Sequence, residues 1–175
     1  MPGSDERLVV VDPQVVFADP GTSPWGSPMF AGAVGRMREL ADAFGPERTV
    51  VTRFVADPGL GGSWGPYYAE WPFALVPDSD PLYAVVPELA DVAQTVVTAG
   101  TFGKWPVLRA VVGASGRVTV AGVATDCCVI STVLPMADAG VTVEVVGAAC
   151  AGSTPENHER ALAAMALFTP QVTIV

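Results

Sequence analysis

Residues 118–129 read VTVAGVATDCCV and carry the strongest structural signal in this chain. The apolar run predicts a buried strand over Arg117–Ala121, the small residues after it predict a turn, and a helix is expected from Cys128 to Ala139. A thiol at the start of a helix lies among unpartnered backbone N–H groups, where the helix dipole lowers the pKa of a cysteine. The same N–H groups can stabilise an oxyanion. The stretch therefore predicts a nucleophilic cysteine beside an oxyanion hole.

Valine-rich runs and amphipathic segments alternate along the rest of the chain. Further strands are predicted at 7–11, 49–54, 94–97, 141–146 and 172–175, and helices at 29–44, 107–112 and from Ser153 to about Phe168. A turn of helix is expected within 85–92, and residues 55–80 are interpreted as a long, ordered loop rich in aromatic residues. The alternation predicts a single α/β domain over residues 1–175. We expect a three-layer α/β/α, Rossmann-like fold with a six-stranded, mainly parallel sheet in the order 3-2-1-4-5-6.

In that order the first strand neighbours the fourth. Ligands of such folds bind in the crevice at the carboxyl ends of the strands where the strand order reverses. Asp12 follows the first strand and Cys128 follows the fourth. Two reactive side chains that are distant in the sequence are therefore expected to share one crevice.

Composition argues against several classes of function. The net charge of −9 and the lack of a Lys/Arg cluster argue against nucleic-acid binding, and no apolar run has the length of a membrane span. The polar residues 1–7 lack the features of a signal peptide, so a cytoplasmic protein is expected. Three cysteines, two of them adjacent, form no disulfide framework. His158 is the only histidine, and no metal-binding Cys or His spacing occurs, so no metal and no other cofactor are predicted.

Three motifs resemble those of one enzyme family. Residues 12–17, DPQVVF, are similar to the family's Asp-x-Gln-x-x-Phe. Lys104 lies in TFGKW at 101–105, and GVATDCCV at 122–129 is close to the family's Gly-x-x-Thr-Asp-x-Cys-Val. The chain thus resembles the isochorismatase-like cysteine hydrolases, which include nicotinamidase and N-carbamoylsarcosine amidase.

The resemblance implies a role for each matching residue. Cys128 would be the nucleophile, Asp12 the general base and acid, and Lys104 the electrostatic support of both. A cis peptide would join Val123 to Ala124, and the N–H groups of Ala124 and Cys128 would form the oxyanion hole.

The chain also departs from two branches of that family. Nicotinamidases carry an Asp-x-His pair and a further histidine for a metal, whereas the corresponding region here reads TRFVAD at 52–57. Isochorismatases lack the nucleophilic cysteine. The resemblance therefore implies metal-free hydrolysis of a small amide, ureido or imide-like C–N bond through a thioester, by a homodimer or larger homo-oligomer.

Four side chains are expected to contact the substrate: Gln14, Phe17, Trp64 and Trp105. Phe17 and Trp105 lie within five residues of a proposed catalytic residue, and ligand sites favour aromatic walls with few polar groups. Gln14 is also expected to form hydrogen bonds within the loops of the site. The alternative for the aromatic residues is packing within the loops. Arg53 is suited to a substrate carboxylate or, equally, to a surface ion pair.

Structural roles are expected for several neighbouring residues. Cys127 and Cys150 are interpreted as core residues, because free cysteine is among the most buried residue types. Thr125 and Asp126 are suited to the N-cap of the helix that follows them. His158, early in its helix, is expected to face solvent.

Two other functions compete with a hydrolase. The first is a non-catalytic small-molecule-binding relative in which Cys128 is only a buried helix residue. The second is a thiol redox protein, which the adjacent Cys127 and Cys128 suggest, although no well-spaced resolving cysteine is evident.

Overall fold

Valine-rich strands form the centre of the computed structural model, which describes residues 6–113 and 116–175. The strands are β1 (Glu6–Val11), β2 (Thr49–Phe54), β3 (Thr95–Ala99), β4 (Arg117–Val123), β5 (Thr142–Ala151) and β6 (Val172–Ile174). They form one sheet in the order β3-β2-β1-β4-β5-β6, and each adjacent pair is parallel. The predicted strand order is therefore confirmed. Residues 1–5 of the polar segment considered above lie outside the described residues.

Helices cover both faces of this sheet. They are α1 (Val15–Ala18), α2 (Phe30–Phe44), α3 (Trp64–Glu70), α4 (Trp105–Val112), α5 (Ile130–Asp138) and α6 (Pro155–Ala166). The buried residues of α2 and α3 belong to the core on one face, and those of α4 and α5 belong to the core on the other, together with Met165 of α6. Residues 8–11 of β1 are completely buried between the two layers, as their unbroken apolar pattern predicts. Within the described residues, no helix has the length and apolar character that crossing a membrane requires.

Two elements differ from prediction because their signals are not local. Strand β5 runs to Ala151 instead of ending at Val146, through small residues with weak strand propensity. A register shift in β4 pairs Gly122 with Cys150 and Val123 with Ala151, and this pairing extends the strand. The predicted long loop contains α3 and a short 3₁₀ turn at Pro72–Ala74.

The turn after β4 also differs from the predicted helix. Residues Thr125–Val129 form a π-helical turn, and the α-helix begins only at Ile130. Turns of this kind are rare and occur often at functional sites. At the other end of the site, α4 starts at Trp105, two residues earlier than predicted, with a proline in its first turn.

Candidate active site

Asp12 lies at the carboxyl end of β1, where Val11 pairs with Gly122 of β4. Its backbone is left-handed, with φ 46°, a conformation that Asp adopts more readily than most residues. The Thr52 hydroxyl accepts a hydrogen bond from the Asp12 N–H at 3.0 Å and donates one to Asp12 Oδ1 at 2.6 Å. Both side chains are buried, so Thr52 on β2 holds the Asp12 carboxylate in one orientation.

The other oxygen of this carboxylate faces Lys104, which immediately precedes α4. Lys104 Nζ lies 2.8 Å from Asp12 Oδ2, and both side chains are 0% exposed. Nζ also donates hydrogen bonds to the carbonyls of Thr101 at 2.7 Å and Phe102 at 2.9 Å. Burial lowers the pKa of Lys104, but the nearby Asp12 carboxylate opposes this effect and the pKa is raised overall. Lysine and aspartate therefore form a buried, charge-neutral pair.

Cys128 lies in the π-helical turn at the carboxyl end of the neighbouring strand. The peptide bond between Val123 and Ala124, just before this turn, is cis. The Cys128 side chain is 3% exposed, and the Thr132 hydroxyl donates a hydrogen bond to its carbonyl at 2.7 Å. Cys127 is only partly buried: it packs against the core and also borders the same cavity as Cys128, so its interpretation as a core residue is confirmed only in part.

The two adjacent thiols influence each other's ionisation. A hydrogen bond from Cys128 lowers the pKa of Cys127, although burial opposes this effect. The same hydrogen bond, together with burial and the negative charge of Asp12, raises the pKa of Cys128 well above its ordinary value. Cys128 therefore needs a base to become a thiolate. Cys150 is buried as predicted, and this burial raises its pKa to about 12.

Side chains of the π-helical turn bind the segment that leads into α6. Thr125 Oγ1 lies 2.8 Å from His158 Nδ1, and Asp126 accepts hydrogen bonds from the Ser153 N–H at 2.8 Å and the Ser153 hydroxyl at 2.6 Å. The predicted N-cap roles of Thr125 and Asp126 are wrong, because Ala124 occupies the N-cap position and no side chain caps the turn. His158 is 6% exposed and does not face solvent as predicted, because its ring is turned inward to Thr125.

A cavity of about 240 Å³ borders the two cysteines. Six aromatic side chains form much of its wall: Phe17, Trp25, Phe54, Tyr67, Trp71 and Phe102. Trp25 is central to this group, with ring centroids 6.1 Å from Phe17, 5.7 Å from Phe54, 5.9 Å from Tyr67 and 6.0 Å from Trp71. The cavity is thus an aromatic enclosure that ends at the thiols.

Only one of the four predicted substrate contacts, Phe17, borders this cavity. Trp105 is buried in the core beneath α4, where the first turn of the helix packs on the sheet. Trp64 lies one layer behind the wall and packs against Phe102, with ring centroids 4.9 Å apart. Trp105 follows Lys104 directly in the sequence but does not reach the cavity, because α4 begins at Trp105 and its side chain points into the core.

Gln14 is also away from the cavity and is completely buried. Its Nε2 donates hydrogen bonds to the carbonyls of Phe54 at 2.9 Å and Tyr83 at 2.8 Å, and its Oε1 accepts one from the Phe54 N–H at 2.7 Å. The prediction that Gln14 forms hydrogen bonds within the loops of the site is confirmed. These partners leave it a structural role rather than a contact with substrate.

Several residues of the site were not singled out from the sequence. Thr52, Trp25, Tyr67 and Phe102 come from separate segments, and no local pattern links them to Asp12 or Cys128. Only Trp25 has a sequence feature that could have indicated a place in the site. It lies in a loop dense in Gly, Pro and Ser, where a tryptophan has no helical or strand face on which to pack. Burial is the main cause of the raised pKa of Tyr67, followed by the charges of the neighbouring cysteine thiolates.

Neither Arg53 nor a cluster of metal ligands provides a binding group within the described residues. Arg53 forms an ion pair with Asp78 and donates hydrogen bonds to the Tyr83 carbonyl. Of its two predicted roles, the structure shows the ion pair. Among residues 6–113 and 116–175, no three His, Cys, Asp or Glu side chains come together as a potential metal site. Within these ranges, the chain thus does not offer the set of ligands that a zinc ion requires.

Comparisons with known proteins place this geometry in context. The Isochorismatase domain family matches residues 6–174. No curated protein matches the chain.

Solved structures share the fold over nearly the whole chain. The cysteine hydrolase from Pseudomonas syringae pv. phaseolicola 1448A has a TM-score of 0.79 at 19% identity, over 99% of this chain and 91% of that one. The pyrazinamidase of Pyrococcus horikoshii in complex with zinc has a TM-score of 0.74 at 24% identity, over 98% of both chains. Nicotinamidase from Bacillus subtilis has a TM-score of 0.71 at 17% identity, over 98% of this chain and 99% of that one.

Proposed function

This chain belongs to the isochorismatase family, and we propose that it hydrolyses the C–N bond of a small amide, ureide or imide through a thioester on Cys128. Membership of the family supports hydrolase activity in general. We assign Cys128 as the nucleophile, Asp12 as the general base and acid, and Lys104 as their electrostatic support. We also propose that residues 1–175 act as one hydrolase domain.

The buried Asp12–Lys104 ion pair is the observation that supports this proposal most. A charged pair with 0% exposure is costly to bury, and structure alone seldom requires one. Neither residue borders the cavity, but the charges of both act on Cys128, which does. Among the described residues, Asp12 Oδ2 has no partner other than Lys104, so it keeps a lone pair that can accept a proton. Such a carboxylate, close to a thiol whose pKa is raised, has the features of a general base.

The first half of the proposed reaction forms the thioester. Asp12 removes the Sγ proton of Cys128, and the thiolate attacks the carbonyl carbon of the substrate. The N–H groups of Ala124 and Cys128 donate hydrogen bonds to the resulting oxyanion, a type of contact worth about 3 kcal/mol to the transition state. The C–N bond then breaks, and protonated Asp12 returns its proton to the leaving nitrogen.

The second half of the reaction releases the acid. Asp12, again a carboxylate, removes a proton from a water molecule that attacks the thioester carbonyl. The second tetrahedral intermediate collapses, the C–S bond breaks, and Cys128 leaves as a thiolate that recovers the proton from Asp12. Lys104 keeps its positive charge throughout and offsets the negative charge that moves between Asp12 and Cys128.

Exchange of each adjacent cysteine tests the assignment of the nucleophile. Ammonia release from a panel of primary amides, including nicotinamide and pyrazinamide, identifies a substrate for the wild-type protein. With that substrate, Cys128→Ala should lower kcat by at least about a thousandfold, because the proposed thioester forms on the Cys128 sulfur. Cys127→Ala should change kcat by less than about threefold, and the reverse pattern would show that Cys127 is the nucleophile.

A thiol redox function is the second candidate, and one observation favours it. Cys127 is partly exposed, borders the cavity and has a lowered pKa, which are features of an oxidation-sensitive thiol. Labelling of peroxide-treated protein with dimedone, together with the absence of ammonia release from every amide tested, would favour this candidate. Turnover that survives Cys127→Ala and is lost in Cys128→Ala would argue against it.

A further inference from the structure

Charge in the cavity points to the class of substrate, an inference that rests on the proposed function. Asp126 is the only residue of the wall with a charged side chain among the described residues that border the cavity. Its two carboxylate oxygens accept hydrogen bonds from the backbone and the hydroxyl of Ser153. Both donors are neutral, so they orient the carboxylate without cancelling its charge.

Two cations, Lys104 and Arg53, are already paired with other carboxylates. The Lys104 ammonium is buried against Asp12, and the two charges form a neutral pair. Arg53 is paired with Asp78 and does not border the cavity. Neither group is available to a ligand anion, so the cavity presents a net negative wall.

The remaining wall favours positive charge as well. Six aromatic rings surround the space, and the face of an aromatic ring attracts a cation by its quadrupole. A carboxylate that entered this space would lose its hydration without gaining a cationic partner, which is strongly unfavourable. A quaternary alkylammonium or an N-alkylated pyridinium group would exchange its weak hydration for aromatic contacts and the field of Asp126.

We propose that the cavity selects amides whose non-reacting end carries a cationic alkylammonium or pyridinium group, and that Asp126 determines this preference. The amide carbon lies at Cys128, and the cationic end lies among the aromatic rings. Neutral amides of the same shape bind less well, and carboxylates are excluded.

Two isosteric ligands that differ in charge, and a third ligand that carries a carboxylate, test this selection. They are 4-(trimethylammonio)benzamide, its neutral isostere 4-tert-butylbenzamide, and 4-carbamoylbenzoate. Their binding to the Cys128→Ala protein, which cannot turn them over, is measured by isothermal titration calorimetry. Asp126 is partly exposed, so its effective dielectric constant lies between that of a protein surface and that of water; at a value of about 40, one charge ~6 Å away gives about a tenfold effect. We expect the cation to bind about tenfold more tightly than the isostere, and the carboxylate at least about tenfold more weakly.

Variants assign the effect to Asp126. In the Cys128→Ala protein, the dissociation constant of the isostere should be about ten times that of the cation. The added substitution Asp126→Asn should lower this ratio to a value between about 1 and 2. Asp57→Asn, which removes an exposed charge outside the cavity, should leave the ratio unchanged. Ser153→Ala removes the hydroxyl hydrogen bond to Asp126 but keeps the charge, and should also keep the ratio.

Several results would overturn the inference. The inference fails if the cation and the isostere bind equally, or if the carboxylate binds as tightly as the isostere. It also fails if none of the three ligands binds at millimolar concentration, or if the ratio is unchanged in Asp126→Asn. Hydrolysis by the wild-type protein is measured in parallel. Hydrolysis without charge preference contradicts the inference alone, whereas charge-selective binding without hydrolysis of any amide contradicts the proposed function alone.

Discussion

Asp12 and Lys104 form an ion pair that is fully shielded from water, so the two residues are strongly coupled. Removing one partner leaves a buried, uncompensated charge, which typically costs about 3–5 kcal/mol. Removing both leaves two neutral side chains of similar size. The sum of the two single losses should therefore exceed the loss in the double variant.

A double-mutant cycle measures this coupling. Asp12→Asn and Lys104→Met should each lower the free energy of unfolding by about 3 kcal/mol or more, and the coupling energy should be about 2 kcal/mol. Urea denaturation gives each value. The exposed pair Arg36–Glu39, at 2.6 Å, is the control, and its cycle should give less than about 0.5 kcal/mol. Additive losses at Asp12 and Lys104 would show that the two charges do not interact in solution.

The pH dependence of this coupling follows from the raised pKa of Lys104. The stabilisation is fully present below the pKa of an unfolded lysine, 10.5, and is lost as the pH rises through the higher value in the folded protein. The coupling energy measured at pH 7 and at pH 9.5 should thus agree. A coupling that has disappeared by pH 9.5 would show that burial, rather than Asp12, governs the ionisation of Lys104.

The residues of this pair could be expected from the sequence, but Thr52 could not. Asp12 and Cys128 each follow a strand whose burial is evident from local pattern, and Lys104 lies in a recognisable motif. Thr52 bonds to Asp12 from another strand, 40 residues away, and its own strand pattern indicates only burial. Contacts between parallel strands depend on register, which the composition of one strand does not reveal.

At the level of elements, β4 and β1 approach closely at Gly122. Gly122 has φ 130°, and a Cβ atom there would lie 2.2 Å from the Val11 carbonyl oxygen. No side-chain movement relieves this contact, because the obstructing atom belongs to the backbone of β1. Gly122 therefore allows the two strands that carry Asp12 and the cysteine turn to lie side by side.

Alanine substitution tests this close approach. Gly122→Ala should lower the free energy of unfolding by more than about 3 kcal/mol, because the strands must separate. The control, Gly35→Ala, lies on the exposed side of α2 with no atom within 4 Å, and should raise stability by about 0.5–1 kcal/mol. Thermal and urea unfolding measure both changes. A Gly122→Ala protein as stable as the wild type would contradict the packing of β1 against β4.

Strands were predicted more accurately than the turn between β4 and α5. A buried strand of a parallel sheet leaves a continuous apolar run, which is a local signal. The π-helical turn has no such signal, and its side chains are fixed from outside by His158 and Ser153. Sequence patterns therefore indicate that a helix follows β4, but they do not indicate that its first turn is π-helical.

At the scale of the whole molecule, activity should be independent of metal ions. No three potential ligands converge within the described residues, and the proposed reaction uses only a thiol, a carboxylate and an ammonium group. Incubation with EDTA followed by desalting should leave kcat within about twofold of the untreated value. Loss of activity that zinc or another divalent ion restores would show that a metal takes part.

The homo-oligomer that the family resemblance implies stays a prediction.

The order of the elements, the parallel sheet and the positions of Asp12 and Cys128 at adjacent strand ends followed from the sequence alone. These features arise from burial and local backbone preference, which act over a few neighbouring residues. The aromatic wall, the orientation of Asp12 by Thr52 and the unneutralised charge of Asp126 emerged only from the folded chain. They depend on side chains from separate segments that meet across the sheet edge, and a linear pattern does not encode which of them become neighbours.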